Sequence, residues 1–256
     1  DRSPSRGLGD VYKRQVDDFS DLFGMNAAGT DAKMRNTKES ILEAQFTSGA
    51  GNWCTWMFGS DLVNWNNNFT WAKWVTPSRD LISAFKQEGD EVRFKESIVY
   101  YDCNWSNYYP SDNYPFMYKC RSANSSIIKY RYADVLLLKA EALIMQDTPD
   151  LEGAADIIDE VRDRAKLGAL PTSVRSNKNV LLNALLKERR LELAFEGQRW
   201  FDLVRLDKVE EVMNAVYSKD SGRKAQIYTF DKNSYRLPIP QSVIDANDKI
   251  HQNPGY

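Results

Sequence analysis

Three carboxylates, Glu188, Glu192 and Glu196, recur at four-residue intervals, so a helix through them stacks all three on one face. Acids spaced in this way can hold a metal or divide general acid and general base between them. The surrounding residues argue against that use. Arg189 lies three positions from Glu192, Arg199 three from Glu196, and Asp202 three from both Arg199 and Arg205. Catalytic carboxylates need unequal environments, whereas this pattern neutralises every acid. Glu188, Arg189, Glu192, Glu196, Arg199, Asp202 and Arg205 therefore read as a structural ion-pair lattice where two helices cross. A glycoside hydrolase working through Glu192 or Glu196 is the reading that the spacing disfavours.

Other catalytic and metal chemistries lack material. His251 is the one histidine, which removes His-based triads and the di-iron ExxH pairs of helix bundles. Cys54, Cys103 and Cys120 form no CxxC pair, so zinc sites built on His/Cys spacing have almost nothing to use. A Cys103–Cys120 bridge leaves the redox compartment open. The Asp245, Asn247, Asp248 tail lacks the spaced loop of an EF-hand and reads as turn chemistry. We expect no metal, no cofactor and no enzymatic activity.

A second chemistry is richer. Trp53, Trp56, Trp65, Trp71 and Trp74 are interleaved with Asn52 and Asn66, and with Asn64, Asn67 and Asp61. A sugar ring offers an apolar CH face that packs flat on an indole, while its hydroxyls need amide or carboxylate partners. Those five tryptophans with Asn52 and Asn66 are the candidate ligand residues. The competing role for the rings is to pack loops against helices, since these loops carry few aliphatics. Trp200, inside the charged helical stretch, reads as core.

The elements that must position these groups fall into two zones. Residues 16–125 form a loop-rich segment, with Gly49-Ala50-Gly51-Asn52 and Asn64-Trp65-Asn66-Asn67-Asn68 as turn compositions. Regular structure there is sparse: a strand over 41–46, a helix over 78–87 and a strand over 97–101. Tyrosines 100, 101, 108, 109, 114 and 118 crowd its second half. Residues 126–256 form a helical scaffold with an extended tail. Ala133, Leu136/Leu137, Ala140 and Leu143/Ile144 keep the spacing of one buried helical stripe. The stripe stops at Asp147-Thr148-Pro149-Asp150, with Asp150 as N-cap, and resumes at Ala154, Ile157/Ile158, Val161 and Ala165 before Gly168. This is a tetratricopeptide-like hairpin. Helices over 180–196 and 198–217 follow, separated by Gly197.

Composition sets the class. The 256 residues are 42% hydrophobic and 27% charged, with a net charge of −2. No window approaches the roughly 20 apolar residues of a membrane span. Lys and Arg are too evenly balanced by acids for nucleic acid to be a partner. The fold expected is mainly α, with helical hairpins, a long loop-rich aromatic segment and few short strands. Residues 1–15 have no apolar periodicity and resemble a translated sequencing adapter, so they read as a non-native or disordered tail. Residue 1 is Asp, and the chain is expected to be a piece of a longer reading frame whose amino-terminal half is missing.

Several segments together resemble the SusD/RagB group of outer-membrane nutrient-binding lipoproteins. They are Arg131-Tyr132-Ala133-Asp134-Val135-Leu136-Leu137-Leu138 with Ala140-Glu141-Ala142, Val161-Arg162-Asp163-Arg164-Ala165, the 188–205 stretch, Leu237-Pro238-Ile239-Pro240 and Gln252-Asn253-Pro254-Gly255-Tyr256. Weaker matches are Lys38-Glu39-Ser40-Ile41 and Asp80-Leu81 followed by Phe85; where the family shows Asp-x-Arg, this chain has Glu91-Val92-Arg93. The resemblance runs from about residue 38 to 256 and implies a SusD-like carboxy-terminal portion over 16–256, its α-hairpins supporting a loop-rich ligand face. It further implies a surface-exposed outer-membrane lipoprotein whose lipidated cysteine lies outside this chain. Such a protein binds an oligosaccharide or other nutrient without cleaving it and passes it to a SusC-like TonB-dependent transporter. A cytoplasmic tetratricopeptide-type scaffold for protein partners is the alternative; it accounts for the hairpin and leaves the tryptophan-rich loops unexplained.

Overall fold

A computed structural model of the chain describes residues 13–47, 51, 62–63, 75–104, 106–219 and 229–256. It is mainly helical and divides into two compact units, 1–197 and 198–256.

The first unit is built on a helical hairpin. Helices are introduced in chain order: α1 (Ser20–Phe23), α2 (Arg79–Glu88), α3 (Glu91–Ser97), α4 (Tyr132–Met145), α5 (Leu151–Arg164), α6 (Thr172–Arg175) and α7 (Lys178–Glu192). Helices α4 and α5 pack antiparallel, and α7 closes the third side. Leu137, Ala140, Ile144, Ala154, Ala155, Ile158, Val161, Leu181 and Leu185 are fully buried at their junction. Alanines at the contact let the helix axes approach closely, and the branched side chains fill the space between. The Asp150 Oδ1 accepts the Gly153 N–H at 2.9 Å, fixing the start of α5 as the sequence anticipates. Asn177 caps α7 in the same way, its Oδ1 accepting from Asn179 and Val180 at 3.1 Å.

Two small antiparallel sheets flank the helices. Strand β1 (Ser40–Ala44) pairs with β4 (Ile127–Arg131), and β2 (Ile98–Tyr101) pairs with β3 (Tyr114–Met117). Strands β3 and β4 and helix α3 are absent from the sequence expectation. Strand β4 runs straight into α4, so the hairpin begins at Tyr132, one residue ahead of the stripe's first alanine. Helix α2 starts one residue later than expected, capped by the Ser78 hydroxyl, and ends at Gly89, whose φ of 69° suits glycine.

The expected helix over 180–196 ends at Glu192 instead. Phe195 at φ 65° and Gly197 at φ 82° turn the chain out of helical geometry.

The second unit carries α8 (Arg199–Arg205), α9 (Val209–Lys219), a 3₁₀ turn (Lys232–Tyr235) and α10 (Gln241–Asp245). The single helix expected over 198–217 is therefore two, broken where Asp207 adopts φ 53°. Its two terminal motifs clasp each other. Gln252 accepts from the Ile239 N–H at 2.8 Å and donates to the Ile239 carbonyl at 2.9 Å. Asn253 donates to the Leu237 carbonyl at 2.7 Å, and the Tyr256 hydroxyl donates to the Arg236 carbonyl at 3.1 Å. Prolines at 238 and 240 have no N–H to offer, so side-chain amides supply the pairing that strand ladders would otherwise give.

Candidate functional site

The carboxylates of α7 sit in a buried charge network of the first unit. Glu192 is fully buried and accepts from Arg131, Arg164 and, at 3.0 Å, Arg93 Nη1. Glu188 accepts from Arg93 and from Arg162 Nη1 at 3.2 Å. Glu196 accepts from Arg131 Nε at 2.7 Å, Arg131 Nη2 at 2.9 Å and Lys119 Nζ at 2.6 Å. Glu39, just ahead of β1, joins through Arg131 Nη1 at 2.7 Å and Arg164 Nη1. Arg189 reaches Asp134 at 2.8 Å, tying α7 to α4.

Spacing alone assigned helix-local partners; these cations come from β3–β4, α3, α4's entrance and α5. Arg93 belongs to the network although its triplet begins with Glu91. Asp90, the N-cap of α3, supplies the nearby carboxylate. Glu39, Asp90, Arg93, Lys119, Arg131, Arg162 and Arg164 are members that sequence spacing missed; their signal was only a cluster of charged residues inside apolar segments. Arg199, Asp202 and Arg205 lie in the second unit, where Asp202 Oδ1 accepts from Arg205 Nη2 at 2.7 Å.

The electrostatics match a structural role. Burial would raise the Glu192 carboxyl, but Arg164, Arg131 and Arg93 outweigh it and hold it well below the usual carboxylate range. Burial raises Glu188, whose partner Arg93 is shared among several acids. Burial pushes the Lys119 ammonium down to about 8 against the pull of Glu196. Lys119 also donates to the Glu192 carbonyl at 2.9 Å and lies 4.7 Å from the Phe23 ring centre. Every carboxylate in the network is engaged by cations, so the network offers no acid facing a substrate. Among the described residues, no group of three or more His, Cys, Asp or Glu side chains is arranged to hold a metal ion, and no helix is long and apolar enough to cross a membrane.

The open site lies elsewhere in the same unit, in the loop between β2 and β3. A cleft of about 750 Å³ is lined by Arg79, Asn104, Ser106, Asn107, Tyr108 and Tyr109 among others. The Arg79 guanidinium lies 4.6 Å from the Tyr108 ring centre and 4.1 Å from that of Tyr109, and donates to the Tyr108 carbonyl. The two rings meet edge to face at 5.0 Å, and Tyr109 continues to Tyr114 at 5.6 Å. Tyr109 OH donates to the Pro77 carbonyl at 2.7 Å, and Ser106 Oγ donates to Tyr114 OH at 3.1 Å. The rings are thus fixed from behind, while Asn104 and Asn107 stand exposed at the mouth. Ring faces beside amides and hydroxyls can stack on a sugar and bond its hydroxyls.

The ligand residues expected from sequence, Trp53, Trp56, Trp65, Trp71, Trp74, Asn52 and Asn66, lie outside the described residues. The tyrosine cleft belongs to the same aromatic zone, and its signal was the run Ser106-Asn107-Tyr108-Tyr109-Pro110. Trp200, expected in the core, is half-buried and lines a cleft of the second unit.

A sequence model of the SusD family matches residues 112–256. SusD-like protein P38 of Formosa agariphila is 43% identical over 99 residues, covering 36% of this chain and 19% of that protein. SusD-like protein P2 of the same organism is 36% identical over 143 residues, covering 53% and 27%. A solved laminarin-binding SusD-like protein has a TM-score of 0.65 at 25% identity, over 96% of this chain and 54% of its own. The matched regions thus span about a fifth to a quarter of those two curated relatives, and the chain about half of the solved one.

Proposed function

The chain belongs to the SusD family, and from that premise we propose that it binds glycans on an open aromatic face without cleaving them. The observation that carries this reading is the Arg79–Tyr108–Tyr109 cleft, with ring faces fixed from behind and amides exposed at its mouth. Trp53, Trp56, Trp65, Trp71 and Trp74, with Asn52 and Asn66, are proposed from their residue types as further ligand residues. Tyr109 packs against the buried cluster of Leu81, Phe85 and Leu191, and its hydroxyl is bonded to the Pro77 carbonyl, so this ring is ordered before a ligand arrives. In the complete protein an amino-terminal lipid tethers the binder to the cell surface, and a SusC-like TonB-dependent transporter receives the glycan.

The test is a binding panel of plant, host and microbial glycans, with laminarin included because a solved relative binds it. At least one glycan is expected to bind, with Tyr108→Ala, Trp53→Ala, Trp65→Ala and Trp74→Ala compared beside the parent. Loss of one stacking ring should weaken binding by roughly tenfold. Incubation should release no reducing sugar. Binding of no glycan in the panel, or turnover abolished by Glu192→Gln, overturns the proposal.

A further inference from the structure

The second unit contains a separate aromatic cleft that the charge network and the tyrosine cleft do not use. It encloses about 560 Å³, within the usual range for small-molecule sites, and is lined by Trp200, Phe230, Leu237 and Tyr256 with Thr229 and Asn233 among its polar groups. Its walls are unusually exposed for their chemistry. Leu237 is 83% exposed and Tyr256 58%, while Phe201 on nearby α8 is 65% exposed. Leu237 and Tyr256 both line the cleft and keep apolar surface open to solvent there.

Those walls are also held in place. Asn214 of α9 donates to the Phe230 carbonyl at 2.9 Å and accepts from the Phe230 N–H at 2.8 Å. Asp231 caps the 3₁₀ turn through Asn233 N at 2.8 Å and Ser234 N at 3.2 Å. The terminal clasp fixes Leu237 and Tyr256. Gly255 adopts φ +95°, and a Cβ there would stand 2.6 Å from Asn233 Cβ, so only glycine lets Tyr256 fold over the turn. Phe230 and Tyr256 are each anchored by side chain to backbone bonds, which is the pre-organisation a weakly binding ring site needs.

The charges decide the ligand class. Asp231 spends its carboxylate inside the capping box, its Oδ1 on Asn233 N and on Ser234 N and Oγ and its Oδ2 on Asn233 Nδ2. The rest of the lining is ring surface with uncharged hydroxyl and amide groups, so the Asp231 carboxylate is the one charged group among the described lining residues, and a carboxylate accepts readily from sugar hydroxyls. We infer that the cleft of Trp200, Phe230, Leu237 and Tyr256 is a second binding site, taking a neutral saccharide ring stacked on the aromatic walls.

The experiment follows indole N–H signals of the full chain by proton–nitrogen spectroscopy during titration with laminarihexaose, cellohexaose and maltohexaose. Trp200→Phe assigns the relevant signal. With at least one of these sugars the Trp200 signal shifts and saturates. Tyr256→Ala and Leu237→Ser, both at exposed positions that leave the helices intact, each weaken that saturation, Tyr256→Ala by roughly tenfold. Tyr108→Ala leaves it unchanged. A Trp200 signal unmoved by all three sugars overturns the inference, as does a shift that responds to Tyr108→Ala and not to Tyr256→Ala. Either result leaves binding at the tyrosine cleft to be judged on its own signals.

Discussion

Arg131, at the end of β4, grips Glu196, just beyond α7, through two parallel bonds from Nε and Nη2 at 2.7 and 2.9 Å. The same guanidinium reaches Glu39 and Glu192 through Nη1 and the Glu192 carbonyl through Nη2. Only a planar fork of fixed donors can serve three carboxylates in a 1% exposed position. Arg131→Lys keeps the charge and loses the fork. It should destabilise the first unit by about 2–4 kcal/mol, because acids remain buried with too few donors. Urea unfolding midpoints of parent and variant check this; equal midpoints would refute the role given to the fork.

Glu192→Gln should cost about 3–5 kcal/mol at pH 7, since it strands buried Arg93, Arg131 and Arg164. The parent carboxyl is held well below its ordinary value by those arginines. A depressed acid contributes stability above its unfolded value near 4.5, and loses it only as pH falls through the lower folded value. The difference in stability between parent and variant should therefore be flat from pH 7 to about pH 5 and shrink in stronger acid. A difference that vanished already at pH 5 would contradict the arrangement.

Lys119 gives the opposite end of the pH scale. Its folded value is pushed from 10.5 to about 8 by burial. Between those values the unfolded chain binds more protons than the folded one, so stability rises with pH there. Measured against Lys119→Met, the parent should gain stability between about pH 8 and 10.5 and change little from pH 6 to 7.5. Chemical denaturation at stepped pH reads the sign directly.

Gln252→Ala removes both bonds to Ile239 at the terminal clasp. The loss should be about 1–2 kcal/mol, local to the second unit. Hydrogen exchange of the Ile239 amide should accelerate by roughly tenfold or more, while amides of α4 and α5 keep their protection. Unchanged exchange at Ile239 would mean that the prolines alone hold the segment.

Much of the helical scaffold was legible because its cause is local. Ala133 to Ile144 and Ala154 to Ala165 show the helical period directly, and Asp150 announces its cap three residues ahead of the N–H it receives. The break at Asp207 was hidden, since a left-handed aspartate leaves no period to read. Strands β3 and β4 were hidden too. Tyr114–Met117 is buried at every position, so no alternation shows, and Ile127–Arg131 carries an apolar pair ahead of the helix it feeds. The acids of α7 were visible as a set, but their cations lie up to 99 residues away, as with Arg93 and Glu192, and spacing sees only neighbours on the same helix. The tyrosine cleft depends on Arg79 meeting residues 108 and 109 across a loop, a meeting that no local pattern encodes.

Glu39, just ahead of β1, and Glu192 in α7 share the guanidinia of Arg131 and Arg164, so the two ends of the first unit meet on the same pair of cations. Contacts of such long sequence separation are costly to close and form late. The hairpin of α4 and α5 rests on contacts close in sequence, whereas β1 pairs with β4 across a long sequence separation. Losing the segment that carries β1 would therefore remove a strand pairing and, with Glu39, one of the carboxylates that answer Arg131 and Arg164.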